Sequence, residues 1–366
     1  MFLMRCPLVL TAGLLLVSCA NQENGSDGDV PACINEAEAE EHPGFSFQGE
    51  YSGMTRLEYG GERVEAGLQI AVYGENRFRA LLHPGGLPGE HIGPEGTGVL
   101  ERAIELEGSY EDYTLHLDAV DYPISVRKIH DHFTVLDEDF NYLGHLNPIQ
   151  RSSTTSGMEA PDNAVQLFSG FEADLAEHWD EDSEMDGNLL KQGARTAEKY
   201  GDMRLHLEAK LGFLPDESSD RRTNSGIYIQ RKYEIQIIDS FGTVPHPGSN
   251  ASLYDEYAPV FDSSFPPLSW QTYDVYFRAP RFDDQGNKTE NARATVYLNG
   301  LLVVDDGELE EGTGGAASYE ETPEDLIYLQ RHTGPVRFRN IWLAEEEYSP
   351  PGASRLVPET LPPQRR

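Results

Sequence analysis

Tyr297-Leu298-Asn299-Gly300-Leu301 lies between ARATV and LVVDD, and no other segment narrows the available folds so far. An Asn-Gly pair flanked by strand-forming residues marks a two-residue hairpin, because both turn positions need positive φ and these residues tolerate it. The hairpin is one of a series. MRLHLEAKL, GIYIQ, YEIQIID, TYDVYFRAP, DLIYLQ and VRFRNIWLAE alternate apolar and polar residues over strand-length runs. Earlier in the chain GLQIAVYG, RFRALLHP, YTLHLDAV, ISVRKI and HFTVLD have strand character between Gly-Gly, Pro-Gly and Asn/Asp turns. Many closely spaced strands without long helices predict an all-β protein: a sandwich or jelly roll preceded by a smaller β-domain.

The ends of the chain set its organisation. MFLMRCPLVLTAGLLLVSC has one basic residue, Arg5, and an apolar run from Pro7 to Val17, too short to span a bilayer and suited to a secretory signal. Leu16-Val17-Ser18-Cys19 resembles a bacterial lipoprotein lipobox, which makes Cys19 the expected acylated residue and new N-terminus. No Asp follows it, which points to the outer membrane or the periplasm. Cys6 leaves with the signal and Cys33 has no partner, so neither a disulfide framework nor a cysteine metal site is expected. The expected layout is a signal at 1–19, a flexible acidic tether at 20–43, a small β-domain at 44–150, a Ser/Thr/Pro-rich linker at 151–164, a second β-domain at 165–347 and a Pro-rich tail at 348–366. Lys and Arg number 28 against 63 Asp and Glu, a formal charge of −35. Such a surface repels nucleic acid and anionic lipid, so membrane contact is expected only through the lipid anchor.

Splitting each strand by side-chain parity separates two faces. His206 and Glu208 oppose Leu205 and Leu207; Tyr228 and Gln230 oppose Ile227 and Ile229; Glu234 and Gln236 oppose Ile235 and Ile237. Asp274, Tyr276 and Arg278 oppose Val275 and Phe277, while Tyr328 and Gln330 oppose Ile327 and Leu329, with His332 in the following turn. The pattern reads as one shared polar face. Such a face either meets water or, given its Tyr and Gln, lines a groove for sugars, which offer hydroxyl edges and CH faces.

Glu208, Glu234 and Asp239 are the carboxylates that acid–base chemistry could draw on. Asp239 has the opposite parity from Glu234, so it joins them only if the strand ends or bulges at Ile238, and it otherwise caps the following turn. His332 can move a proton, ligate a metal or bond backbone in a turn; Arg278 can stabilise an oxyanion or pair with a carboxylate. No HExxH, GxSxG or P-loop pattern occurs.

NSGIYIQRKYEIQIIDSFG, WQTYDVYFRAPRFDDQGNK, ARATVYLNG and IYLQRHTGPVRFRNIWL, in that order, resemble the 3-keto-disaccharide hydrolase domain family. VQLFSGFEADLAEHW is similar to the family's opening segment, so the likeness runs from about Val165 to Ala344. FRALLHPGGLPGE is similar to the β-domain that precedes this domain in planctomycete members. The resemblance implies a concanavalin A-like β-sandwich acting on oligosaccharides or keto-sugars whose carbon-3 hydroxyl has been oxidised. Asn224, Ser225, Gly226, Tyr228, Glu234, Gln236, Asp239, Trp270, Tyr273, Asp274, Arg278, Gln330, His332, Arg337 and Asn340 match the family pattern. Arg331, Thr333 and Gly334 stand where the family usually has Asp, Gly and Asn, and Val304 replaces its usual His.

A ketone at carbon 3 acidifies the proton on carbon 2, and the glycosidic oxygen on carbon 1 can then leave by elimination. That route needs a base, an acid and an enolate stabiliser. The expected catalytic set is Glu234, His332 and Asp239, with Glu208, Tyr228, Gln230, Gln236, Arg278 and Gln330 binding substrate. A divalent metal on His332 and Glu234 is the alternative to arginine at the enolate. Direct hydrolysis stays open, as does a non-catalytic carbohydrate-binding module.

Overall fold

The computed structural model describes residues 35–74, 76–90, 103–111, 114–216, 221–316 and 320–351. The signal, Cys19, Cys33 and the tail beyond Pro351 lie outside them.

The first unit is a closed meander barrel of eight strands: β1 (Gly49–Thr55), β2 (Val64–Val72), β3 (Arg77–Pro84), β4 (Ile104–Glu111), β5 (Thr114–Ala119), β6 (Ile124–Ile129), β7 (His132–Asp137) and β8 (Tyr142–Ile149). β1 pairs with both β2 and β8, which removes every sheet edge. Leu68, Ile70, Leu82, Leu117, Val126, Phe133 and Leu146 are buried in its core. The end of the expected flexible tether is folded. Asn35 caps helix α1 (Glu36–Ala39) by accepting from the Glu38 N–H at 3.0 Å, and Ala39 is buried in the barrel's core cluster.

The second unit is a sandwich. Its large sheet runs β10 (Met185–Asp186), β11 (Leu189–Lys191), β21 (Val336–Ala344), β12 (Met203–Leu211), β15 (Trp270–Arg278), β18 (Ala292–Leu298) and β19 (Leu301–Leu309), with β9 (Ala164–Phe168) also on β21. Helix α2 (Glu172–His178) follows β9, and a side ribbon pairs β16 (Arg281–Phe282) with β17 (Lys288–Glu290). The small sheet is β14 (Tyr233–Ile238), β13 (Asn224–Ile229) and β20 (Tyr328–Leu329). Asn299 and Gly300 adopt φ of 55° and 81°, the positive values the β18–β19 hairpin demands. Leu205, Leu207, Val275, Phe277 and Val296 from the large sheet meet Ile227, Ile229, Ile235 and Ile237 from the small one in a single core.

This architecture overturns the single shared face. Alternation places each polar row away from the core, but the strands belong to two sheets. His206, Glu208, Asp274 and Arg278 lie outside the large sheet, and Tyr228, Glu234, Gln236 and Gln330 lie outside the small one. The whole core separates them.

The segment at 151–164 is not a loose linker. Ser153 and Thr155 hydroxyls lie 2.5 and 2.7 Å from the Thr272 hydroxyl, and the Gly157 N–H donates to Glu208 Oε1 at 2.6 Å. Met158 carbonyl oxygen accepts from Asn340 and Trp342 side chains. This stretch therefore covers the outside of the large sheet. The chain beyond β21 covers more of it, through Tyr348 against Thr295 and the Tyr297 hydroxyl donating to the Pro351 carbonyl.

The barrel packs on one end of the sandwich. Arg151 pairs with buried Glu50 at 2.5 Å, and Phe213 enters the barrel's core cluster beside Phe45.

Candidate active site on the small sheet

β13 and β14 are joined by a turn in which Gln230 and Arg231 both have positive φ, 53° and 52°. Asp325 holds that turn by pairing with Arg231 at 3.0 Å and with buried Lys232 at 3.1 Å. The hairpin sets Tyr228 directly opposite Glu234 and Gly226 opposite Gln236. On the other edge of β13, Tyr228 faces Tyr328, and the Gln330 N–H donates to the Gly226 carbonyl at 2.8 Å. Two rows thus cross the small sheet's outer face: Glu234–Tyr228–Tyr328 and Gln236–Gly226–Gln330.

The centre of this grid is a glycine for a steric reason. A Cβ at Gly226 would overlap Glu234 Oε1. Flanking it, Gln236 Oε1 and Gln330 Oε1 are buried acceptors without a hydrogen-bond partner among the described residues. Buried acceptors of this kind are costly unless something fills the site.

Glu234 is 3% exposed, and burial pushes its carboxyl up to about 7. The Tyr228 hydroxyl donates to Glu234 Oε2 at 2.6 Å, pulling the other way without overcoming burial. Thr313 fixes the residue from above by accepting from the Glu234 N–H at 3.0 Å. Beside the pair opens a pocket of about 300 Å³, lined by Asp180, Gly193, Arg195, Tyr228, Tyr328 and Gln330 among others. Its size is that of a small-molecule site. Arg195 is tied to Asp180 at 2.7 Å, and Arg331 rests against Gly193.

The structure therefore brings together Tyr228, Glu234, Gln236 and Gln330 from the expected set. It places the rest elsewhere. Glu208 is on the opposite side of the sandwich, bonded by Gly157, Asn340 and Arg339. Arg278 is also there, paired with Glu290 at 2.9 Å, so the core stands between it and any enolate at Glu234. Asp239 is the buried partner of Arg222 at 2.6 Å, and Arg222 donates onward to the Val72 carbonyl of the barrel, so this carboxylate joins the two units. Gln230 is a turn residue whose amide donates to the Tyr200 and Pro323 carbonyls. His332 is exposed, with Nδ1 3.1 Å from Thr333 Oγ1, and does not line the pocket. Among the described residues no three or more His, Cys, Asp or Glu side chains gather as metal ligands. Val304 points into the sandwich core, so that departure from the family leaves the pocket untouched.

Sequence reasoning missed Asp180, Gly193 and Arg195, which come from a strand-poor stretch with no periodic signal, and Gly315, from the loop over Tyr228. Among the described residues, none of the barrel lines the pocket.

Residues 163–344 match the model of the 3-keto-alpha-glucoside-1,2-lyase-like domain, the family to which the sequence blocks pointed. The sandwich belongs to this family. A lyase-like domain of this kind is carbohydrate-active, in keeping with a small-sheet pocket that presents Tyr, Gln and a buried carboxylate. Among solved structures, one from Parabacteroides distasonis, provisionally named a glycosyl hydrolase, is 25% identical over 55% of this chain and 93% of its own, with a TM-score of 0.48. A second from that organism, named likewise, is 16% identical over 51% and 95%, with a TM-score of 0.36. No curated protein matches the chain.

Proposed function

We propose that the sandwich cleaves the glycosidic bond of 3-keto-glycosides by eliminating the carbon-1 substituent, with the Glu234 carboxyl as the group that gains a proton when carbon 2 is deprotonated and loses it when the leaving oxygen is protonated. The observation that supports this reading is a buried carboxyl raised to about 7, hydrogen-bonded to a tyrosine that lines the pocket. A group with that pKa can take and give a proton near neutral pH. Gln330, which lines the pocket beside Tyr228 and Tyr328, would bond sugar hydroxyls through its amide. Water adds to the enone afterwards, which makes the overall result a hydrolysis.

The test is incubation of the purified protein with a 3-keto-disaccharide at neutral pH, following released sugar and enone absorbance. Wild type should release sugar, and Glu234→Gln should lose about 10²–10⁴-fold while still binding the disaccharide. Saturable binding without release from any 3-keto-glycoside would replace this reading with the binding-module one. The lipobox-like ending supports a site of action at the cell envelope, anchored through Cys19; loss of radiolabelled palmitate in Cys19→Ser would establish the anchor.

A further inference from the structure

Glu234 does not itself line the pocket; Tyr228 is the member of the pair that does. The Tyr228 hydroxyl sits 2.6 Å from Glu234 Oε2 on one side and 3.2 Å from the Gly314 carbonyl on the other. Two glycines clear the space around the dyad. A side chain at position 226 would strike the carboxylate, and a Cβ on Gly315, which also lines the pocket, would stand 2.6 Å from the hydroxyl. At that distance a side chain would crowd the hydroxyl, and the φ of 81° at Gly315 calls for glycine as well, so the loop can pass directly over Tyr228 at the pocket wall.

We infer that Tyr228 is the catalytic group that exchanges protons with the substrate, and that Glu234 works through it. The inference rests on the elimination reading above. In the first half, the Tyr228 oxygen takes the carbon-2 proton while its own proton passes to Glu234 Oε2, along the hydrogen bond already present. The C2–H electron pair forms the enolate with the carbon-3 carbonyl. In the second half, the enolate collapses to a C1=C2 double bond and a restored ketone, and the C1–O pair leaves with the glycosidic oxygen. That oxygen takes the Tyr228 proton, and Glu234 returns a proton to Tyr228. One glycoside yields one enone and one alcohol, and the dyad ends as it began. Burial and the neighbouring Glu234 charge raise the Tyr228 hydroxyl, so a free phenolate is disfavoured and the two transfers are coupled.

The experiment compares Tyr228→Phe, Glu234→Gln, the double variant and Gly315→Ala on a 3-keto-disaccharide across pH 5 to 9, with disaccharide binding and melting temperature recorded for each. The relay requires Tyr228→Phe to lose 10²–10⁴-fold at every pH, as Glu234→Gln does, and the double variant to fall no more than about threefold further. Gly315→Ala, whose Cβ crowds the Tyr228 hydroxyl while leaving the Glu234 carboxyl in place, should also lose turnover, and its melting temperature separates that loss from unfolding if Tyr228→Phe folds poorly. If Tyr228 only positions the carboxylate, Tyr228→Phe recovers its plateau rate and merely shifts the pH midpoint, and the relay is overturned. Failure of wild type to cleave any 3-keto-glycoside overturns the elimination reading instead. Both failures are visible in the same data.

Discussion

Glu234 and Glu208 are both buried carboxylates on the outer face of a sandwich sheet, and they behave oppositely. Burial works to raise each of them. At Glu208 the Gly157 N–H, the Asn340 amide and the Arg339 guanidinium outweigh burial and hold the carboxyl below its usual range. At Glu234 a single tyrosine hydroxyl does not, and the carboxyl rises to about 7. The surroundings differ in the same way. Around Glu208, His206 bonds Asp274 at 2.9 Å and stacks on Trp342, and the 151–164 segment closes over the sheet. Around Glu234, glycines at 226 and 315 pass where a Cβ would strike the Tyr228–Glu234 pair, and the Gln236 and Gln330 side-chain oxygens have no partner among the described residues. The contrast lies at the two carboxylates and not over the whole faces: on the Glu208 side Asp274 Oδ2 and Arg278 Nε also lack partners among the described residues, and Glu208, Arg339 and Asn340 line an open cavity of about 520 Å³. A buried carboxylate held ionised by three donors is set for structure, and one left with a single donor is set for proton transfer.

The largest effect that could break this contrast is catalytic. Glu234→Gln should cost about 10²–10⁴-fold in turnover without lowering the melting temperature. Glu208→Gln should do the reverse, keeping turnover within about twofold while lowering stability, since the Arg339 charge loses its carboxylate. Parallel kcat and melting measurements on the two variants check both halves. Equal loss of turnover would mean the two faces are functionally linked through the core.

Next comes Arg222. It and Asp239 are 4% and 1% exposed at their side chains, so Arg222→Met strands a buried carboxylate and should destabilise by about 3–5 kcal/mol. Asp239 is then a joint between barrel and sandwich, and the Asp239→Asn variant, measured below its melting point, should keep its turnover. A collapse in turnover without a change in melting temperature would put Asp239 back among the catalytic groups.

Alternation located β12 to β15 and β18 to β21, because half-buried strands on a common core must put apolar residues at every second position, and it missed β9, β10, β11, β16 and β17, which are five residues or shorter. It could not say which sheet a strand joins. Glu208 and Glu234 have the same local pattern, and only the pairing of β12 with β15 and of β13 with β14 puts the core between them. The barrel was legible in part. β1, β4 and β8 went unrecognised because glycines interrupt their patterns, and the closed topology demands those glycines. A Cβ at Gly53, Gly108 or Gly144 would overlap the backbone of the neighbouring strand at His145, His116 or Met54. The residues that let the barrel close are those that hid it.

Titration offers a smaller, signed test. Glu234 has a folded pKa raised from 4.5 to about 7, so the fold favours its protonated form. Its contribution to stability is full below about 4.5 and is lost as pH rises through about 7, on the order of 3 kcal/mol. Glu208 runs the other way: its contribution is present above the usual carboxylate range and is lost on acidification. Activity should oppose the Glu234 stability trend, since accepting the carbon-2 proton needs the carboxylate, so kcat/KM should climb through about pH 7. Denaturant titrations from pH 4.5 to 8 should show the decline in wild type reduced in Glu234→Gln. Asp262, also raised to about 7 by burial, leaves a residual slope in both. Identical slopes would mean that Glu234 is ionised throughout that range.

The mildest change addresses the covered face alone. Thr272 is fully buried, and its hydroxyl holds those of Ser153 and Thr155. Thr272→Val keeps the shape and removes that hydroxyl; Ser153 keeps its bonds to the Thr155 N–H and hydroxyl, so the cost is about 0.5–1.5 kcal/mol. For a chain of this size that lowers the melting temperature by roughly 2–4 °C per kcal/mol. Turnover on a 3-keto-disaccharide should stay at the wild-type level, because Thr272 stands on the far side of the core from Tyr228 and Glu234. Limited proteolysis should then cut first within 151–164, where the segment has lost its hold on β15. Unchanged proteolysis with reduced turnover would mean that the segment governs the small-sheet pocket at a distance, and the division between a covered face and a working face would fail.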